Sequence, residues 1–436
     1  MNKKLFVYMN GLFVGTWEQA PSLEQSFTYD PAWLHNPKGR AISLSLPLSE
    51  ITYKGMHVSS FFENLLPESE AVKKKLQNRF KASSIRAFEL LEHIGRDCVG
   101  ALQIVPQPIE ASSVPPDIEG TIVDEQEIAN ILRAIRGLEL EGETVSLRDF
   151  RISVAGAQEK TAFLRYQGQW MIPKGTTPTT HIFKLPMGKL YDLIDFSDSI
   201  ENEWLSCRIM RHFGIPVCNS DMYNFEEQKV LVVERFDRQW SKDQKQLIRL
   251  PQEDLCQALG YPSSQKYQSD GGPGILEIMK LLQGSNRAEE DRRLFFKAQV
   301  LFYLMAAPDG HAKNFSLALV QKGLFHLTPL YDIMSAYPLF KKASSSLNPN
   351  KLKLAMGAYG KNIHYSWNTI AKRHWIETGC KVGLSQQKVE DILQEIISQI
   401  PSVIEATYTS IPPSFPISIV DAICRGMEKT AKKLAN

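Results

Sequence analysis

Asp309, Asn314 and Asp332 are the side chains whose types and spacing point to chemistry. Asp309 and Asn314 form Asp-x-x-x-x-Asn within Met305–Phe315 (M-A-A-P-D-G-H-A-K-N-F), just after an apolar run. Asp332 follows behind a second apolar approach, in Leu327–Ala336 (L-T-P-L-Y-D-I-M-S-A). Phosphoryl transfer needs such a set. One carboxylate orients the attacking hydroxyl, while an amide oxygen and a second carboxylate hold Mg²⁺ on the nucleotide phosphates. Asp-x-x-x-x-Asn is also common by chance and reads equally as a turn with an Asx cap, so the elements around it must decide.

The upstream pieces follow the order found in kinases. Arg151–Lys160 places small residues between strand-like segments, where backbone N–H groups can approach phosphates; an ordinary hairpin loop fits the same residues. Neither G-x-x-x-x-G-K-[ST] nor G-x-G-x-x-G occurs there. Thr180–Pro186 is a short apolar strand carrying Lys184, which needs a counter-charge if it points inward. Ser197–Phe213 reads as a capped helix ended by Gly214. Its Glu201 and Glu203 are candidate partners for that lysine, or else surface acids near a helix N-terminus. Lys229–Phe236 is a buried strand that turns polar at Glu234. By order it occupies the kinase hinge, where backbone groups of Glu234 and Phe236 would meet adenine.

The remaining chain supplies scaffold. Asn10-Gly11 between Leu5–Met9 and Leu12–Trp17 signals a tight hairpin. Ala41–Leu46 alternates like a strand. Phe61–Leu66 is a short buried segment, Ser69 caps a helix to about Phe80, Ile85–Ile94 is a helix closed by Gly95, and Val99–Val105 is a strand. The Lys73–Lys75 run reads as a solvated face. Pro106–Gly120 is a proline-rich extended linker. Glu125–Ile135 follows as an amphipathic helix. Pro251–Gly260 reads as a helix, Lys266–Gly274 as a glycine-dense turn or lid, and Ala288–Met305 as the helix that delivers Asp309. Lys341–Asn350 reads as a loop, and Gln386–Ile400 and Ser418–Leu434 as amphipathic closing helices.

Composition sets bounds. The chain has 436 residues, enough for two to three domains. With 50 basic and 48 acidic residues, its formal charge of +2 gives no global drive toward nucleic acid or membrane. The six cysteines are scattered without a C-x-x-C pair, which argues against zinc or a disulfide framework and fits a reducing cytoplasm. Leu5–Met9 is too short for a signal sequence, and no apolar run approaches the ~18 residues of a membrane span.

Asp309-Gly-His311-Ala-Lys-Asn314 spells D-x-H-x-x-N, nearer the phosphoinositide-kinase branch than ordinary protein kinases. Together with Ile42–Pro47, Phe61–Pro67, Ile94–Ala101, Asp149–Thr161, Pro173–Pro186, Val233–Arg238, Arg249–Asp254, Ser269–Gly274 and Lys353–Gly357, it resembles the HipA family of serine/threonine kinase toxins over essentially the full length. The resemblance implies an α+β chain: an N-terminal β-rich subdomain (1–107), a linker (108–120) and a mainly helical bilobal kinase domain (121–436) like the phosphoinositide kinases. The ATP lobe would span about 150–238 and the helical catalytic lobe about 239–436. It implies ATP and Mg²⁺ as cofactors and Asp309 as catalytic base. It implies Mg²⁺ on Asn314 and Asp332, and nucleotide contacts from Ala155, Gly156, Ala157, Gln158, Glu159, Lys160, Lys184, Glu234, Arg235, Phe236, His311 and Tyr331. It also implies autophosphorylation of Ser153, where a dianion would repel the γ-phosphate and lower activity. Family partners are a helix-turn-helix antitoxin dimer of the HipB type, operator DNA mainly through that antitoxin, and glutamyl-tRNA synthetase as substrate. No membrane is implied. A lipid or small-molecule kinase and a catalytically dead co-repressor scaffold are the competing readings; the first lacks an amphipathic membrane segment, and the intact Lys184, Asp309, Asn314 and Asp332 argue against the second.

Overall fold

The computed structural model describes residues 2–109, 118–136, 158–190, 194–340 and 347–435. Its contacts group into two compact units. The first comprises Met1–Leu185, Asn219–Ser263 and Leu317–Leu324; the second comprises Pro186–Cys218, Ser264–Ser316 and Phe325–Asn436. The architecture is α+β, β-rich toward the N-terminus and largely helical toward the C-terminus.

The first unit begins with a five-stranded antiparallel sheet. Its strands are β1 (Lys3–Met9), β2 (Leu12–Gln19), β3 (Gln25–Tyr29), β4 (Tyr53–Lys54) and β5 (Leu102–Val105), ordered β4-β3-β2-β1-β5. The β1–β2 turn takes φ of 47° at Asn10 and 77° at Gly11, the left-handed pair that the Asn-Gly signal anticipates. Gly15 is required where β2 meets β3, because a Cβ there would lie 2.3 Å from the Thr28 carbonyl oxygen. Helices Met56–Glu63 and Ala87–Ile94 cover one face. Trp17 stacks on Phe62 at 3.8 Å between ring centroids and meets Phe88 edge-on.

A second antiparallel sheet adds β6 (Gly120–Val123), β7 (Lys160–Tyr166), β8 (Gln169–Pro173) and β9 (His181–Lys184). Its order is Ser220–Phe225, Gln228–Glu234, β9, β7, β8, β6. Helix Glu125–Ile135 has the bounds its periodicity implies. An Asp124–Glu127 capping box opens it, and its buried Ile128, Ile131 and Leu132 pack with Phe163 and Phe183.

The expected strand at Ala41–Leu46 does not form. Ser43 and Leu46 make one isolated bridge, and the segment is a turn. A buried carboxyl group outcompetes strand pairing: Glu253 accepts from Ser43 Oγ at 2.5 Å and from Leu44 N at 2.8 Å, while Ser45 Oγ donates to the Gln257 carbonyl at 2.7 Å. Pro251–Gly260 also departs from the helix its pattern suggests. Gln252–Asp254 is a strand, and only Leu255–Leu259 is helical, started by an Asp254–Gln257 capping box.

Five charged side chains are buried together in this unit. Asp97 lies 3.2 Å from Arg235, 2.8 Å from Arg238 and 3.3 Å from Arg249, and Asp237 lies 2.8 Å from Arg235 and 3.1 Å from Arg238. Thr179 N and Oγ1 donate to Asp97, and Gly100 N donates to Asp237. Burial alone would raise the Asp97 pKa, but Arg238, Arg235 and Arg249 outweigh it and hold it at about 2.

The second unit is built on helices Ser199–His212, Ile275–Leu281, Ala288–Leu304, Lys372–Lys381, Gln386–Ser410 and Ile417–Ala435. The first of these starts two residues later than its sequence signal. Ser197 instead donates from N and Oγ to Asp195, in a local turn. Its acids are not a solvent face, because Glu201 and Glu203 are 3% and 2% exposed. Gln386–Ser410 continues through Pro401, where the sequence suggests a stop. Val403 and Thr407 keep its inner stripe buried beyond Ile400, so packing outweighs the lost bond. Among the described residues no helix is long and apolar enough to cross a membrane.

Burial raises the Glu253 carboxyl to about 8, against the lowering effect of its bonds to Ser43 and Leu44. A folded pKa above the unfolded one means that the native state holds the extra proton. Stability is therefore lost as pH rises from about 5 to about 8, with a slope of at most about 1.4 kcal/mol per pH unit. Glu253→Gln keeps a neutral group of the same shape. Chemical denaturation across this range is expected to show a falling stability for the parent and a flatter profile for the variant.

Candidate active site

The site in the second unit is assembled from two loops. Helix Ala288–Leu304 is apolar and buried along most of its last three turns, and ends against Met305. Ala306 then turns the chain with a left-handed φ of 48°, and Pro308–His311 leads into a single helical turn at Ala312–Asn314. The Asn314 amide nitrogen donates to the Asp309 carbonyl at 2.7 Å, and Asn314 N donates to the His311 carbonyl at 2.9 Å. With its nitrogen committed, Asn314 presents its amide oxygen as the remaining polar atom, a hard donor suited to a divalent cation.

The second loop carries Tyr331 and Asp332. The Tyr331 hydroxyl donates to the Lys313 carbonyl at 2.9 Å and lies 2.6 Å from Ser316 Oγ, so the residue beside Asp332 is bonded to the residue beside Asn314. Asp332 has a φ of 59°, in the left-handed region that a residue with a Cβ enters at a cost of about 1 kcal/mol or more. Neighbouring bonds hold it there. Asn202 on helix Ser199–His212 bonds both backbone groups of Ser335, at 2.8 and 2.9 Å, and Ser335 Oγ donates to the Met305 carbonyl at 2.6 Å. Ala336 N donates to the Ala306 carbonyl at 2.9 Å. Asp309, His311, Asn314, Tyr331 and Asp332 thus lie on two loops locked to each other and to two buried helices.

The Asp309 carboxylate is half-exposed and oriented from one side. The Tyr267 hydroxyl donates to its Oδ1 at 2.5 Å, and the buried His311 ring lies 3.7 Å from the same oxygen, edge-on to Tyr267. Tyr267 is the residue that sequence reasoning missed. It belongs to the glycine-dense Lys266–Gly274 segment, which reads as a turn or lid. The structure anchors that segment: Gln268 accepts from Gly357 N at 2.9 Å and donates to Tyr359 Oη at 3.0 Å.

The first unit carries the other expected residues. Lys184 is buried on β9, directly opposite Lys160 on β7 and Leu231 on Gln228–Glu234. The base of the small-residue loop is tied down, because Leu185 N donates to the Glu159 carbonyl at 3.2 Å and the Gln158 amide donates to the Leu185 carbonyl. Glu159 also pairs with Lys75, so that lysine run is not wholly a solvated face. Glu234 is exposed, and its N–H is bonded to the Asn219 carbonyl at 2.9 Å. Phe236 is half-buried. The Arg235 guanidinium does not face a ligand. It is spent on Asp237, Asp97, Thr179 Oγ1 and the Cys98 carbonyl, while Arg235 N donates to the Thr180 carbonyl at 2.8 Å and the Arg235 carbonyl accepts from Arg238 N at 3.2 Å, so the expected nucleotide contact from Arg235 finds its side chain and backbone already engaged. Ser153, Ala155, Gly156 and Ala157 lie outside the described residues.

Comparison with known families identifies the chain's kin. Residues 5–105 match the HipA N-terminal domain, and residues 152–404 match the HipA-like C-terminal domain. The chain belongs to the HipA-like kinase family. It is 32% identical over 410 residues to the putative kinase Y4mE of Sinorhizobium fredii, covering 92% of each chain. It is 29% identical over 318 residues to the serine/threonine-protein kinase toxin HipA of Shewanella oneidensis, covering 68% of this chain and 67% of that one. A chain in the structure of the Shewanella oneidensis HipA, HipB and operator DNA complex superposes with a TM-score of 0.81 at 22% identity. The match covers 99% of this chain and 97% of that one, and it establishes the shared fold. The HipA-like chain is accordingly an enzyme of the serine/threonine kinase class.

Two substitutions test the geometry of this HipA-like site. Tyr267→Phe removes the donor to Asp309 and is expected to lower kcat about tenfold, with the melting temperature unchanged; steady-state phosphotransfer and calorimetry read the two. Asn202→Ala strands two buried backbone groups of Ser335 and is expected to cost about 2–4 kcal/mol in denaturant unfolding.

Proposed function

We propose that this HipA-like kinase transfers the γ-phosphoryl group of ATP to a protein serine and acts as the growth-arresting toxin of a toxin–antitoxin module. The observation that supports the reading is that the loop carrying Asp309 and Asn314 and the loop carrying Asp332 are bonded to each other through Tyr331 and Ser335. Asn314 and Asp332 would hold Mg²⁺: both are oxygen donors, the amide is turned by its bond to Asp309, and Asp332 is kept in a costly backbone conformation. The metal, when bound, neutralises charge on the transferring phosphates.

Asp309 accepts the proton of the serine hydroxyl and aligns its oxygen for in-line attack. Tyr267 fixes one carboxylate oxygen and leaves the other for the substrate. Lys184 meets phosphate oxygens, and backbone groups at Glu234 and Phe236 meet the adenine edge, as in the phosphoinositide kinases. Ala155–Lys160 closes over the phosphates with His311 and Tyr331 bordering the site, and phosphorylation of Ser153 withdraws that loop by charge repulsion. The division into residues 1–107, a linker at 108–120 and a kinase domain from 121 belongs to the same reading. The two separate family matches support it.

The Shewanella oneidensis complex contains HipB and operator DNA. We extend that assembly to this chain. A helix-turn-helix antitoxin of the HipB type binds it and makes most of the DNA contact, as the small net charge favours. The substrate is a serine of a tRNA synthetase, glutamyl-tRNA synthetase first among them, in the cytoplasm.

Radiolabelled ATP tests the reading. Label is expected on Ser153 of the chain and on glutamyl-tRNA synthetase in a cell extract. Asp309→Gln and Asp332→Asn are each expected to lower incorporation about 100-fold or more without unfolding, and Ser153→Ala to abolish self-labelling alone. Undiminished turnover in a folded Asp332→Asn variant would remove the metal assignment. Phosphopeptides mapped to another protein would replace the substrate.

A further inference from the structure

The first unit holds a cavity of about 460 Å³ that none of the described residues assigned above to nucleotide, metal or catalysis lines. It lies at the β1–β2 turn. Its size is that of small-molecule sites, which are mostly apolar with a few placed polar groups. Leu12, Trp33 and Ile248 supply apolar wall. Three cations also line it, Lys38, Arg40 and Arg249, and among the described lining residues there is no aspartate or glutamate.

Among the described residues two features leave this charge only partly compensated. The Arg40 guanidinium bonds only carbonyl oxygens, those of Leu319 at 3.3 Å and Lys38 at 3.4 Å, and neither Lys38 nor Arg40 has a carboxylate partner among the described residues. Among the described residues the buried ion network behind the wall is itself unbalanced, since Asp97 and Asp237 face Arg235, Arg238 and Arg249. Arg249 is the member on the cavity wall, and its contact to the thrice-shared Asp97 is the longest of the five, at 3.3 Å. Excess charge in a low-dielectric interior draws a counter-ion strongly.

The wall is built to stay open. The Asn10 side chain bonds both backbone groups of Arg249, each at 2.9 Å, which fastens the hairpin turn to the strand Leu247–Arg249. Trp33 Nε1 donates to the Arg40 carbonyl at 3.0 Å and sets the position of that cation.

We propose that this cavity is a binding site for a small amphiphilic organic anion, with its apolar body against Leu12, Trp33 and Ile248 and its acidic group at Lys38, Arg40 and the Arg249 edge. The site is separate from phosphotransfer and stands whether or not the kinase reading does. Occupancy supplies the negative charge that the ion network lacks.

Titration calorimetry on the full chain tests this with three eight-carbon probes at one ionic strength: octanoate, 1-octanol and octylamine. Octanoate is expected to bind at least tenfold more tightly than octanol, with octylamine weakest. The Lys38→Met/Arg40→Met variant is expected to keep its octanol affinity, which reports an intact cavity, and to lose the preference for octanoate. Lys38→Glu alone alters an exposed side chain, and is expected to weaken octanoate and strengthen octylamine. Absence of octanoate binding, equal affinity for octanoate and octanol, or a preference that survives in both variants would each overturn the proposal.

Discussion

Two carboxylates and three guanidiniums are shut away from water in the first unit, and that constraint governs much of what surrounds them. Stranding any one of these charges would cost several kcal/mol, so the groups that serve them have little freedom to move. Asp97 comes from the turn before β5, Arg235 and Asp237 from the turn after the Gln228–Glu234 strand, and Arg238 and Arg249 from the paired strands Arg238–Trp240 and Leu247–Arg249. Each shares a counter-charge with another, so the network fastens the N-terminal sheet to the sheet that bears Lys184. Residues on both sides of 108–120 accordingly belong to one compact unit by their contacts.

The second unit solves a different problem with neutral groups. Catalytic loops must leave regular structure and still hold still. Here Asn202, Ser335 and Tyr331 replace helix and sheet bonds by side-chain bonds to backbone, and every partner is a loop carbonyl or amide beside a functional residue. The left-handed φ at Asp332 is tolerated because its neighbours are so heavily tied. Position is supplied by the core and chemistry by the loops.

The hairpin at Asn10-Gly11, the helix capped by Ser69, the helix Glu125–Ile135 and the long helix into Met305 were legible because each depends on residues close in sequence. The spacing of the candidate residues Asp309 and Asn314 was visible for the same reason. Ala41–Leu46 was misread because its alternation is real, yet Glu253, two hundred residues away, bonds it into a turn. Tyr267 escaped notice because nothing in a glycine-dense segment says which distant carboxylate one tyrosine will meet.

By itself, the order of residues determined most of the element types and singled out Asp309, Asn314 and Asp332 as candidates, since turns, caps and side-chain chemistry are set by local residue type. Tertiary structure alone decided that Arg235 faces a buried ion network, that Glu201 and Glu203 lie inside, and that Tyr267 touches Asp309. The physical reason is that burial and charge pairing are properties of neighbours in space. A chain records those neighbours only as residues scattered along its length.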